Sequence, residues 1–108
     1  MGITIEQIRN MIEQFPNDCA LRFTLGQKLF EEGTPEQLNE ALVHLNFVHK
    51  NDPTNAANDL TYAKALFKAN QEEKAHEVLM AGLQKAYSLT AEGHDLVPAI
   101  KELMESLE

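Results

Sequence analysis

Four histidines, one cysteine and two adjacent carboxylate pairs are the side chains in this chain that could make a metal or catalytic centre. Their spacing argues against both. His44 and His49 are five residues apart, which places them roughly 140° apart around a helix of 3.6 residues per turn, a poor geometry for shared chelation. The other two are His76 and His94. There is no His-Glu-x-x-His, no Cys-x-x-Cys and no phosphate-binding Gly-x-x-x-x-Gly-Lys-Ser/Thr element. No Gly-x-Ser-x-Gly nucleophile elbow occurs either. Glu31-Glu32 and Glu72-Glu73 flank turns, where paired carboxylates read as solvated or helix-dipole charges rather than acid/base machinery. Cys19 is expected as a small, half-buried residue at a helix start, because a reactive thiolate needs a lowered pKa that no neighbour here supplies. No catalytic, metal or cofactor site is expected.

Bulk composition narrows the class further. At 108 residues, with 44% hydrophobic and 24% charged side chains, the chain is expected to form one globular domain. The net charge of −8 comes with nine scattered basic residues and no cluster of four or more. Nucleic acid and anionic membrane surfaces are disfavoured as partners, since both require a concentrated basic face. No apolar run approaches the roughly 20 residues that span a bilayer, and no basic-then-apolar leader is visible. A lone cysteine cannot form an internal disulfide, so a cytoplasmic location is expected.

The elements that would carry any function are helical throughout. Thr4-Ile5-Glu6-Gln7 has the form of a capping box, and Ile5, Ile8, Met11, Ile12 and Phe15 recur at helical spacing until Pro16. Asn17 or Asp18 can cap a second helix carrying Leu21, Leu25, Leu29 and Phe30, which Gly33 ends. Thr34-Pro35-Glu36-Gln37 repeats the capping box with proline at the first helical position. Leu38, Ala41, Leu42, Leu45 and Val48 then form a stripe down to Asn51-Asp52-Pro53. Thr54 or Asn55 starts the fourth helix, and Asn70-Gln71-Glu72-Glu73 opens the fifth. A sixth begins near Val97 or Pro98, with Ile100, Leu103, Met104 and Leu107 on one face. No strand signal survives.

The helices repeat. Ala41 and Ala75, 34 residues apart, each open an Ala-x-x-x-Leu pair completed by Leu45 and Leu79. Upstream stand Arg22-x-x-Leu25-Gly26-x-x-Leu29 and Asp59-x-x-Tyr62-Ala63-x-x-Leu66. This spacing resembles the tetratricopeptide repeat. Residues 4–15 resemble a leading helix, 18–52 a first repeat, 54–87 a second, and 95–107 a C-terminal capping helix. The resemblance implies an all-α fold, a short right-handed α-solenoid of six helices, in which end helices protect faces that two repeats alone leave open. A weaker likeness, carried by Leu21-Arg22-Phe23-Thr24-Leu25-Gly26 and Gly82-Leu83-Gln84-Lys85-Ala86, is to short bacterial proteins with two such repeats and a terminal helix. Three departures stand out. Arg22 and Asp59 occupy the first aromatic position, Gly82 replaces a usual alanine, and three extra residues between Gly26 and Ala41 are expected in the turn around Gly33-Thr34-Pro35.

What the family implies about function is a docking surface for a protein or peptide. Its groove positions would be Ala20, Phe23, Gln27, Phe30 and Glu31 from the first repeat, with Ala57, Leu60, Lys64, Phe67 and Lys68 from the second. Such a groove suits an extended or helical peptide carrying acidic and apolar groups. The branch of the family that clamps a chaperone's C-terminal carboxylate is disfavoured, because Phe23, Gln27 and Thr61 stand where its Lys and Asn residues would be. An alternative is self-association as a homodimer through Val43 and Phe47, an i, i+4 apolar pair at positions that normally face solvent.

Overall fold

A computed structural model describes residues 3–88 and 97–106. Among these residues it contains six helices and no strand: α1 (Ile5–Gln14), α2 (Cys19–Glu32), α3 (Pro35–Asn51), α4 (Ala56–Lys68), α5 (Glu72–Ser88) and α6 (Val97–Ser106). The C-terminal helix expected over 95–107 is seen from Val97 to Ser106, and Leu107 lies outside the described residues.

Each of the first four helices starts where a short polar side chain satisfies an otherwise unpaired N–H. Thr4 and Thr34 form complete capping boxes with Gln7 and Gln37. Asp18 Oδ1 accepts from Leu21 N at 3.1 Å, and Asn55 Oδ1 from Asn58 N at 2.9 Å, so Asp18 and Asn55 are the caps chosen from each candidate pair. The two hairpin turns end their first helices differently. Gly33 takes the left-handed conformation at the end of α2, with φ 75°. After α4 that conformation falls on Asn70, φ 63°, the residue type besides glycine that tolerates it best. There Gln71 N bonds Leu66 O at 2.9 Å and Asn70 N bonds Phe67 O at 3.0 Å, the pair of bonds of a Schellman motif.

The three extra residues of the first repeat do not enlarge its turn. Only Gly33-Thr34 separates α2 from α3, whereas Ala69-Asn70-Gln71 separates α4 from α5. The insertion instead lengthens the start of α3: six residues of helix precede Ala41, against three before Ala75. Thr34 and Pro35 explain the difference, because a capping box with proline at the first position nucleates the helix a turn early.

Packing follows the repeat. α2 pairs with α3 and α4 with α5; α3 joins the two pairs through α4, α1 lies on α2, and α6 lies on α5. Connections this short make each pair antiparallel. Ala41, Ala75, Leu45 and Leu79 have no solvent exposure, and small residues let the paired backbones approach. A Cβ on Gly26 would stand 2.7 Å from Leu45 Cδ2. A Cβ on Gly82 would stand 2.9 Å from the Cβ of fully buried Asp59, an atom fixed to the α4 backbone. Gly82→Ala should therefore lose more to overpacking, about 1–3 kcal/mol, than the roughly 1 kcal/mol that alanine gains in a helix. Urea unfolding should show a net loss of about 1 kcal/mol, and a gain would mean that α4 shifts freely away from α5.

Candidate functional site

Two polar assemblies tie the helices together, one linking α1 to the α2/α3 pair and the other linking α3 to the α4/α5 pair. In the first, Arg9 of α1 forks onto Glu40 of α3, Nε to Oε2 at 3.1 Å and Nη2 to Oε1 at 2.6 Å. Arg9 also pairs with Glu6. Glu40 Oε2 lies 3.4 Å from His44 Nε2, and His44 Nδ1 lies 3.3 Å from Arg22 Nη1. Since arginine only donates, Nδ1 is the acceptor and Nε2 carries the proton. Arg22 Nε donates to Pro16 O at 2.7 Å, and its guanidinium stacks 4.2 Å from the Phe47 ring centroid. The aromatic missing from the Arg22 position is thus supplied by Phe47 across the hairpin.

The second assembly surrounds Asp59, whose side chain has no exposure. His49 Nδ1 donates to Asp59 Oδ1 at 2.9 Å. Lys85 Nζ reaches Oδ1 at 3.2 Å and lies 3.0 Å from Oδ2, an ion-pair contact outside hydrogen-bonding geometry. The same ammonium donates to His49 O and Asp52 O, each at 3.2 Å, at the C-terminal end of α3 where the helix dipole favours a cation. Beside it, Asn58 Nδ2 donates to Leu45 O at 2.9 Å and Tyr62 Oη to Asn46 Oδ1 at 3.0 Å. Single-residue reasoning missed both assemblies. A carboxylate in place of an aromatic, with glycine opposite it at Gly82, was the available signal.

These assemblies are structural wiring. His44 and His49 belong to different ones, and no cluster of metal-ligating side chains exists among the described residues. The Cys19 thiol is half-buried at the first position of α2, and burial, reinforced by Asp52 and Asp18, pushes its pKa up. It is a weak nucleophile there.

The face of α2 and α4 is different in character. Ala20, Gln27, Glu31, Lys64, Phe67 and Lys68 are exposed, and Phe23, Phe30, Ala57 and Leu60 are half-buried. Phe23, Phe30 and Leu60 pack against the core with part of each side chain still in solvent. Phe67 is 41% exposed. Lys64 lines a cleft with Ala99, Glu102 and Leu103 of α6, and Lys68 Nζ sits 5.8 Å from the Phe30 centroid. On the opposite side, Val43 is 63% exposed, while Phe47 is half-buried beneath Arg22.

Stacked antiparallel helix pairs in a common register, wired together across their junctions, define a helical-repeat protein. The chain belongs to the tetratricopeptide repeat family, whose profile matches residues 34–100, from the cap of α3 into α6. Repeats of this family are non-catalytic and mediate protein–protein interaction. No curated protein matches the sequence. Among the described residues, no helix is long and apolar enough to cross a membrane.

Two outcomes follow from the wiring. Lys85→Met leaves Asp59 buried beside His49 without its ammonium, and should cost about 3–5 kcal/mol in chemical denaturation; a loss below about 1 kcal/mol would mean that water reaches the carboxylate. His44 has its pKa lowered by burial, with Glu40 opposing and Arg22 and Arg9 reinforcing the shift. The folded state therefore holds a neutral imidazole that the unfolded chain would protonate. This contribution is complete above the ordinary histidine pKa near 6.5 and is lost as pH falls through the lower folded value. Denaturation midpoints between pH 7 and 5 should fall less steeply for His44→Gln than for the wild type, and parallel profiles would remove the role.

Proposed function

We propose that the chain is a protein-binding module, acting in the cytoplasm, whose α2/α4 face forms a groove for a peptide segment carrying acidic and apolar groups. The observation that carries this reading is Phe67, a large aromatic 41% exposed between Lys64 and Lys68. In a chain of net charge −8, a phenylalanine flanked by two exposed cations a turn apart supplies both apolar area and local positive potential. Phe23, Phe30 and Leu60 extend the apolar strip, Gln27 adds a polar contact, and Ala20 and Ala57 leave room for a ligand backbone. Catalysis has no part in this function.

Selection of a random peptide library on the immobilised protein should enrich segments with Asp or Glu next to Leu, Ile or Phe. Lys64→Glu combined with Lys68→Glu should abolish that enrichment and leave the oligomeric mass unchanged. Equal enrichment on both proteins would defeat the groove reading.

A second reading, self-association as a homodimer through Val43 and Phe47, draws support from the 63% exposure of Val43. Light scattering separates the two. Self-association predicts a dimer mass that Val43→Glu or Phe47→Glu reduces to the monomer; a monomer mass in all three proteins ends it.

A further inference from the structure

The C-terminal end of α2 carries the wrong charge. Its last turn holds Glu31 and Glu32 and no basic residue, although the carbonyl end of a helix favours cations. A cation from α4 stands close to this end. Lys68, the last residue of α4, places its ammonium over the Phe30 ring at 5.8 Å. The same Nζ lies 2.9 Å from where a Cβ on Gly33 would stand. Gly33 therefore serves twice: it adopts the left-handed turn that closes α2, and it leaves the gap that the ammonium fills. One turn earlier on α4, Lys64 is exposed, and no carboxylate among the described residues forms an ion pair with it. It faces the cleft walled by Ala99, Glu102 and Leu103 of α6.

We propose that the two lysines of α4 have separate tasks. Lys68 is an inter-repeat latch that neutralises the end of α2, and Lys64 alone is the anchor for an acidic side chain of the bound peptide. On this assignment the groove extends onto α6: Leu103 and Ala99 receive the neighbouring apolar residue, and Glu102 tunes the site by opposing an anion. The anchor half rests on the groove reading above. The latch half stands without it.

Three variants of the full chain, Lys68→Gln, Lys64→Gln and Glu102→Gln, test both halves. Lys68→Gln should lower the melting temperature by about 2–6 °C, with the gap to wild type closing in about 1 M salt as the charge interaction is screened. Lys64→Gln should melt as the wild type does. Anisotropy with a labelled probe peptide, one glutamate set among leucines, is compared with its glutamine twin. Lys64→Gln should weaken the glutamate probe about threefold to fivefold and leave the twin unchanged, while Glu102→Gln should tighten the glutamate probe. Gain of affinity cannot come from misfolding. Equal melting of the two lysine variants overturns the latch, and equal loss of glutamate-probe affinity in both overturns the anchor. A wild type indifferent to the probe's charge defeats the groove reading, and the melting comparison still decides the latch.

Discussion

A carboxylate with no access to water must find its counter-charge and hydrogen-bond donors inside the fold, and Asp59 draws them from helices on both sides of its own. His49 reaches it from α3 and Lys85 from α5, while Lys85 also holds the last carbonyls of α3. Three helices from two repeats are thereby fixed at one point. The arrangement is accessible because α5 offers Gly82 opposite Asp59, where a larger residue would intrude on the Asp59 side chain. An aromatic at position 59 would have bound the hairpin by area alone, without direction. The ion cluster is directional, so it specifies the angle between the first repeat and the second, and that angle sets the spacing of α2 and α4.

The first repeat solves the same problem with inverted charge. Arg22 stands at the position equivalent to Asp59, and its guanidinium takes the Phe47 ring, His44 and the Pro16 carbonyl as partners. Arginine is suited to this because its planar fork can stack and donate at once. Arg9 and Glu40 then carry the assembly to α1. Thus α1 is tied in by ion pairs as well as by Ile8 and Ile12, which are buried in the core. End helices of repeat arrays must close the core without inviting further copies, and a charged tie serves that purpose better than additional apolar area.

Helix existence, caps and the buried stripe were all legible in the chain, because each depends on residues within four positions of one another. Thr4, Asp18, Thr34 and Asn55 cap where short polar side chains precede apolar periodicity. Ala41 and Ala75 are fully buried at the hairpin crossings. Register counting finds the three extra residues without saying whether they become turn or helix; the capping box at Thr34 makes them helix. The ion assemblies were illegible for another reason. Lys85 and Asp59 are 26 residues apart, and Arg9 and Glu40 are 31 apart, so no local period links them. They appeared in the sequence only as departures from the repeat.

Those departures bear directly on the proposed docking face. If Arg9, Arg22 and Lys85 are committed to the junctions, the basic residues left to meet a partner are the exposed or half-exposed lysines. One of these, Lys64, lies on α4 a turn before Phe67, while Lys68 sits against Phe30 and Gly33 at the end of α2. Steering by such a small positive field in an acidic protein is short-ranged, falling off over about 8–10 Å in physiological salt, so it would act on a ligand already near the proposed groove rather than on distant ones. On the proposed groove reading, apolar contact with Phe67 and Phe30 would provide most of the affinity, with charge selecting among apolar segments. The ion pairs that occupy Arg9, Arg22 and Lys85 would, on that same proposal, leave selection to the lysines that remain unpaired.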